Sequence, residues 1–177
     1  MPDPTLSEAI KEAYASAPDN VVILHTLELL HPAFTQPIRV VRDYQDLTAT
    51  LESGAPQNGG QAVLFIGYAF DLVLPQMTEQ TALPQIIVTI DNVDRAIVQN
   101  IEAAMTTTDV IQIIYRPYLS TDLSAPQMIP PMEFQVQSIQ ADVFQVRATC
   151  NYGDPANRAF PNEDFTLARF PGLAATA

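Results

Sequence analysis

Between Met132 and Gln137 apolar and polar residues alternate without a break, with Met132, Phe134 and Val136 opposite Glu133, Gln135 and Gln137. Val143–Cys150 repeats the pattern, setting Phe144, Val146, Ala148 and Cys150 against Gln145, Arg147 and Thr149. Successive side chains on a strand point to opposite faces, so each stretch predicts a half-buried strand. Gln140-Ala141-Asp142 lies between them and predicts the turn of a hairpin. Upstream, Val21–Leu30 is apolar and β-branched at its start, which predicts a strand ending at His31-Pro32. Ile38–Arg42 reads as its hairpin partner. Gln61–Tyr68 and Phe70–Leu74 are further strand material, with Gly67 a bulge or kink between them. Residues 52–60, ESGAPQNGG, are the clearest loop. Gln85–Ile90 and Asp109–Leu119 complete the strands, Pro117 implying an edge position or a strand end.

At Asp91-Asn92 the period changes from two to about three and a half, the spacing of a helix. Val93, Ile97, Ile101 and Ala104/Met105 share a face, so a helix is predicted over 92–105 with Asp91 or Asn92 as its N-cap. Residues 5–16 predict a shorter amphipathic helix with Leu6, Ile10 and Ala13/Tyr14 on one face. Thr5 and Glu8 have capping-box spacing, and Pro18-Asp19-Asn20 stops the helix. After Cys150 both periods disappear. Asn151–Ala177 contains Gly153, Pro155, Pro161, Pro171 and Gly172 among unphased aromatics, which predicts an irregular C-terminal arm. Three parts result: an N-terminal helix or arm at 1–20, a β-rich domain at 21–150 and the arm at 151–177.

Composition adds constraints. At 177 residues and 47% hydrophobic, the chain suits one domain with an ample core. No apolar run approaches the ~18 residues of a membrane span, so none is expected. Met1-Pro2-Asp3-Pro4 lacks a basic stretch leading into an apolar one, so no secretory signal is expected. Seven Arg and Lys11 face twenty carboxylates, a net charge of −12. Such a surface repels phosphate backbones and argues against specific nucleic-acid binding. It suits solubility, or an acidic wall past which DNA slides without sticking.

Candidate chemistry is sparse. No Gly-rich phosphate loop, GxSxG elbow, HExxH pair or CxxC occurs. His25 and His31 share strand parity but stand too far apart to hold a metal without a third ligand, and His25 reads as a core histidine. Asp91 and Asp94 are explained by helix capping, because DNVD lacks the Gly and the distal Glu of a calcium loop. Asp43 and Asp46 read as a solvated turn. Cys150, the one cysteine, sits on an apolar strand face and reads as a core residue. No catalytic or metal-binding set emerges, and a non-enzyme is expected.

Three stretches, LELLHPAF (27–34) with IRVVRD (38–43), IDNVDRAIVQNIEAA (90–104) and FPNEDFTLARFPGL (160–173), resemble a family of phage and prophage minor tail proteins. The resemblance spans roughly residues 20–173. It implies a mainly β fold: two packed antiparallel sheets in a tail-tube-like sandwich or barrel, with one flanking helix. It also implies a structural virion protein of the tail tip or baseplate, made in the bacterial cytoplasm. Such a protein forms a homo-oligomeric ring, trimeric or hexameric, that joins the tail tube to the tip or hub. Its partners would be the tail-tube, distal-tail, hub and tape-measure proteins, with DNA passing through the lumen. In lambda-type relatives at this point of the tail an iron–sulfur cluster is held by cysteines; Cys150 alone cannot hold one, and no cofactor is expected.

A ring subunit needs strand edges that pair across neighbours, and 109–115 and 132–137 are the expected ones. Tyr152, Phe160, Phe165 and Phe170 are the expected subunit-interface anchors, and the loop at 52–60 would face the lumen or the next ring. Two other classes compete: a receptor- or carbohydrate-binding module, whose mark would be exposed aromatics on loops, and a cell-wall hydrolase, which needs a carboxylate pair in a cleft. The lack of Trp counts against the first, and no carboxylate spacing supports the second.

Overall fold

The structure is a computed structural model that describes residues 5–16, 21–73, 85–91, 95–141 and 145–152. Among them the elements run α1 (Glu8–Ser16), β1 (Ile23–Leu30), β2 (Ile38–Val41), β3 (Leu47–Thr50), β4 (Ala62–Gly67) and β5 (Phe70–Val73). Then follow β6 (Gln85–Asp91), α2 (Arg95–Met105), β7 (Gln112–Leu119), β8 (Met132–Ala141) and β9 (Gln145–Tyr152). The chain is mainly β, as the alternation predicts. Its strands form one continuous nine-stranded sheet in the order β3-β4-β2-β1-β7-β8-β9-β6-β5, where two packed sheets were expected.

The sheet curls because one path serves two neighbours. β4 runs parallel to β2, pairing Val40 with Ile66 and Val41 with Gly67, while β5, two residues further on, pairs antiparallel with β6 at the far end of the sheet. Gly67 makes this bend possible. A Cβ there would lie 2.9 Å from the Asp43 carbonyl oxygen and 3.0 Å from that of Gln45, so a side chain would collide with the 43–46 turn. The turn at 43–46 is exposed, as expected, and the Asp46 carboxylate also accepts the Gly67 N–H at 2.9 Å.

Each face of the sheet has its own core. Leu27, Leu29, Ile113, Phe134, Val146 and Cys150 lie on one face, against Ile97, Ile101 and Ala104 of α2. The other face packs Leu24, Val41 and Tyr118 against Ala49, Leu51, Val63 and Phe65 of the β3–β4 segment. In the β8–β9 hairpin Val136 pairs with Cys150 but Ser138 with Thr149, so Gln137 is an extra residue. The bulge resets the alternation, and Ile139 joins Phe134 and Val136 against the same core.

Several expectations change. α1 starts at Glu8, and Ser7 is its cap, its Oγ accepting the Ile10 N–H at 3.3 Å; Thr5 lies outside the helix. Ile10 and Ala13 bury against Leu119, whereas Tyr14 is half exposed. Asp91 ends β6, and Asn92 and Asp94 lie outside the described residues. β3 was not anticipated. The strands at 109–115 and 132–137 are interior, since β7 is flanked by β1 and β8, and β8 by β7 and β9. Pro117 fits inside the sheet because β8 pairs only with Gln112–Tyr115; beyond that point the Pro117 carbonyl accepts the Gln127 N–H.

Candidate functional site

The most heavily buried polar group is an ion network beneath the 51–61 loop. Glu28 of β1 stands directly across from Arg39 of β2 and diagonally from Arg116 of β7. Its carboxylate accepts from Arg39 Nε at 2.8 Å and from Arg116 Nη1 at 2.7 Å, with the Glu28 and Arg116 side chains wholly buried. Arg116 also donates Nε and Nη2 to the two Glu52 oxygens at 2.7 and 2.8 Å, a bidentate pair. Arg39 Nη2 donates to Asn58 Oδ1 at 2.9 Å. Two carboxylates therefore meet two guanidiniums, and the loop is fastened to the sheet at Glu52 and Asn58. Burial alone would raise the Glu52 pKa, but the Arg116 hydrogen bonds and charge outweigh it and hold the carboxyl below its ordinary value.

This network is structural in character: every charge is paired, and only its outer members, Arg39 and Asn58, reach an open surface. The signal was present in the sequence, as lone charges inside apolar strands (LELL around Glu28, IRV around Arg39, YRP around Arg116), but their meeting depends on the pairing of three strands.

Two of the open surfaces among the described residues flank Tyr68. Between β2 and β4 the pairing stops at Val40–Ile66, and a groove of about 490 Å³ lies beyond it, lined by Ile38, Leu64, Ile66, Tyr68 and, from α2, Ile97 and Asn100. Leu64 and Ile66 are 55% and 48% exposed. The second is a cleft of about 400 Å³ lined by Arg42, Asp43, Tyr44, Tyr68, Phe70 and Asp71. Tyr44 is fully exposed there, on a turn held by the Asp43 Oδ1–Tyr44 N–H bond, and Arg42 pairs with Asp71 at 3.0 Å.

Both histidines and the cysteine singled out from sequence are engaged. His25 Nδ1 lies 2.7 Å from the Tyr115 hydroxyl; burial, then the Arg42 charge, lower its pKa, so the neutral ring accepts the phenol proton. His31 Nδ1 accepts the Ala33 N–H at 3.0 Å, which leaves Nε2 to donate to the Asp109 carbonyl and Thr107 Oγ1, both at 3.2 Å. Cys150 is fully buried, its thiol pushed up to about 12 by desolvation. Among the described residues no group of three His, Cys, Asp or Glu side chains could hold a metal, and no helix is long and apolar enough to cross a membrane. Tyr152 is the last residue of β9, paired with Phe134, so β9 runs two residues past the expected boundary. Phe160, Phe165 and Phe170 lie outside the described residues.

One family matches residues 9–165, nearly the whole chain, and carries the description Domain of unknown function (DUF1833). The chain belongs to this family. The match runs past β9 and takes in Phe160 and Phe165. No curated protein matches the chain.

Proposed function

We propose that this DUF1833 chain is a structural virion protein of a bacteriophage tail tip or baseplate, forming a homo-oligomeric ring that joins the tail tube to the tip or hub. One observation carries the assembly half of this reading. The nine-stranded sheet ends in two unlike strands, β3 and β5, each paired on one side within the sheet. Unlike ends on one chain suit head-to-tail contacts, and contacts of that kind close into rings when the rotation allows. An uncovered strand edge is an aggregation liability unless something pairs with it. On the β3 side the Thr50 N–H is already taken by the Leu123 carbonyl, whereas among the described residues no strand pairs with the outer edge of β5.

The phage half rests on the resemblance of 27–43, 90–104 and 160–173 to minor tail proteins. The net charge of −12 fits a wall past which DNA moves without adhering. The catalytic candidates are engaged in packing and hydrogen bonds, which suits a subunit without catalysis. Native mass spectrometry and electron microscopy, alone and with tail-tube protein, test the proposal. Rings of three or six copies that stack on tube are expected, and a monomer indifferent to tube protein would overturn it.

A second reading, a receptor- or carbohydrate-binding module, is favoured by the exposed Tyr44 beside Tyr68, Arg42 and Asp71, where a sugar ring could stack and bond. Saccharide-induced shifts in Tyr44 ring resonances would support it, and a flat titration against host-surface polysaccharide would remove it.

A further inference from the structure

We infer that the cleft beside Tyr44 binds an organic cation, an alkylammonium group. The inference rests on the binding-module reading of that cleft, gives its ligand a charge, and stands apart from the ring reading.

The walls of the cleft are fixed although they face water. The Val41 carbonyl accepts both the Asp43 N–H and the Tyr68 N–H, each at 2.9 Å, so the turn and the bend hang from one atom of β2. The Asp46 carboxylate holds the Gly67 N–H at 2.9 Å and ties the same two segments together a second time. Phe70, buried in the main core, lines the cleft from beneath, and Tyr68 packs in part against that core. The space of about 400 Å³ falls within the range of about 300–1,000 Å³ that small-molecule sites occupy.

The aromatic lining points to a cation. Tyr44 is fully exposed, so its ring adds nothing to packing and its π face is open to a ligand. Tyr68 lines the same cleft. The face of such a ring carries negative potential and attracts an ammonium group within about 6 Å of its centre.

Charge points the same way. Arg42 is the one cationic side chain lining the cleft, and it is committed to Asp71 at 3.0 Å. Asp43 has no ion-pair partner among the described residues, and its Oδ1 accepts the Tyr44 N–H, a neutral donor. A carboxylate is therefore left over beside the open ring. An anion would find no uncommitted positive group, and a neutral sugar would leave Asp43 uncompensated. An ammonium group uses ring and carboxylate together, and the net charge of −12 draws cations toward the surface. A choline-type headgroup and an amino sugar both present this chemistry, and the test separates them.

The full chain is titrated with choline, with the uncharged carbon isostere of choline, with glucosamine and with N-acetylglucosamine, following the Tyr44 ring resonances. At least one of the two cations should bind at millimolar concentration, about fivefold or more tightly than its uncharged counterpart. Choline alone would identify a headgroup, and glucosamine alone an amino sugar. Tyr44→Leu and Asp43→Asn should each weaken the cation about threefold or more. Neither should move the urea midpoint, since Tyr44 is exposed and asparagine keeps the Oδ1 acceptor. Tyr44→Phe, which keeps the ring face, should bind as the wild type does. Equal binding of charged and uncharged ligands overturns the inference, and so does cation binding that survives both substitutions. If N-acetylglucosamine binds and neither cation does, the inference falls and the saccharide reading stands. If none of the four binds, both fall.

Discussion

The two faces of the sheet are finished in different ways. One face is closed from within: the 51–61 loop is held by Glu52 on Arg116 and Asn58 on Arg39, above a Glu28 that is wholly buried. The other is covered by α2 only in part, and the aliphatic surface runs on to Leu64 and Ile66, half exposed. Charged groups sealed from water demand partners inside the same chain, because a buried charge left alone is costly. Apolar groups at a rim make no such demand and are free to take a partner from outside. The closed face therefore bears on folding, and the open one is where the proposed assembly would act.

The two largest expected effects lie one on each face. Arg116→Met takes one of the two guanidinium partners from the buried Glu28 and both hydrogen bonds from Glu52, releasing the loop at that point, and should cost about 3–5 kcal/mol in urea unfolding. Phe134→Ala on the opposite face should cost a similar amount, about 3–5 kcal/mol, by leaving a cavity. Compensation separates the two: adding Glu28→Met to Arg116→Met should recover part of the loss, because the wholly buried carboxylate is gone while Glu52 and Arg39, nearer the surface, still lack their ion partners. If it recovers nothing, the two faces are held by the same kind of force and the comparison fails.

Glu52→Gln is the next smaller change, about 1.5–3 kcal/mol at neutral pH, from weakening a charge-assisted pair. Its pH dependence has a definite sign. The folded-state pKa of Glu52 lies below the ordinary 4.5, so the carboxylate's contribution is fully present above about that pH and is lost as pH falls through the depressed value. Stabilities of wild type and Glu52→Gln should converge in acid; curves that stay parallel would place the stabilisation elsewhere. Gly67→Ala should cost about 1–3 kcal/mol, because its Cβ meets backbone rather than a movable side chain.

Much of the fold was legible in the sequence. The strict alternation around Phe134 and Val146 marks the β8–β9 hairpin, and the 3.6-residue spacing of Ile97, Ile101 and Ala104 marks α2. What escaped has physical reasons. Leu47–Thr50 is too short to show a period, so β3 was not seen. The Gln137 bulge breaks alternation halfway along β8, so that strand looked shorter than it is. The buried network joins residues as much as 88 positions apart, and only the strand order brings Arg116 to Glu28. The groove was hidden for the same reason, since it depends on the parallel pairing of β2 with β4. His25 and Cys150 were legible as structural residues because each sits in an apolar context, whereas the role of His31, at a strand end, was not.

The most direct measurement compares Arg116→Met and Leu64→Asp in one series, recording urea midpoint and native mass for each. The account expects Arg116→Met to lower the midpoint strongly, and Leu64→Asp to leave it within about 0.5 kcal/mol of wild type while shifting the mass from ring to monomer. A Leu64→Asp protein that unfolds easily yet keeps its oligomeric mass would contradict it.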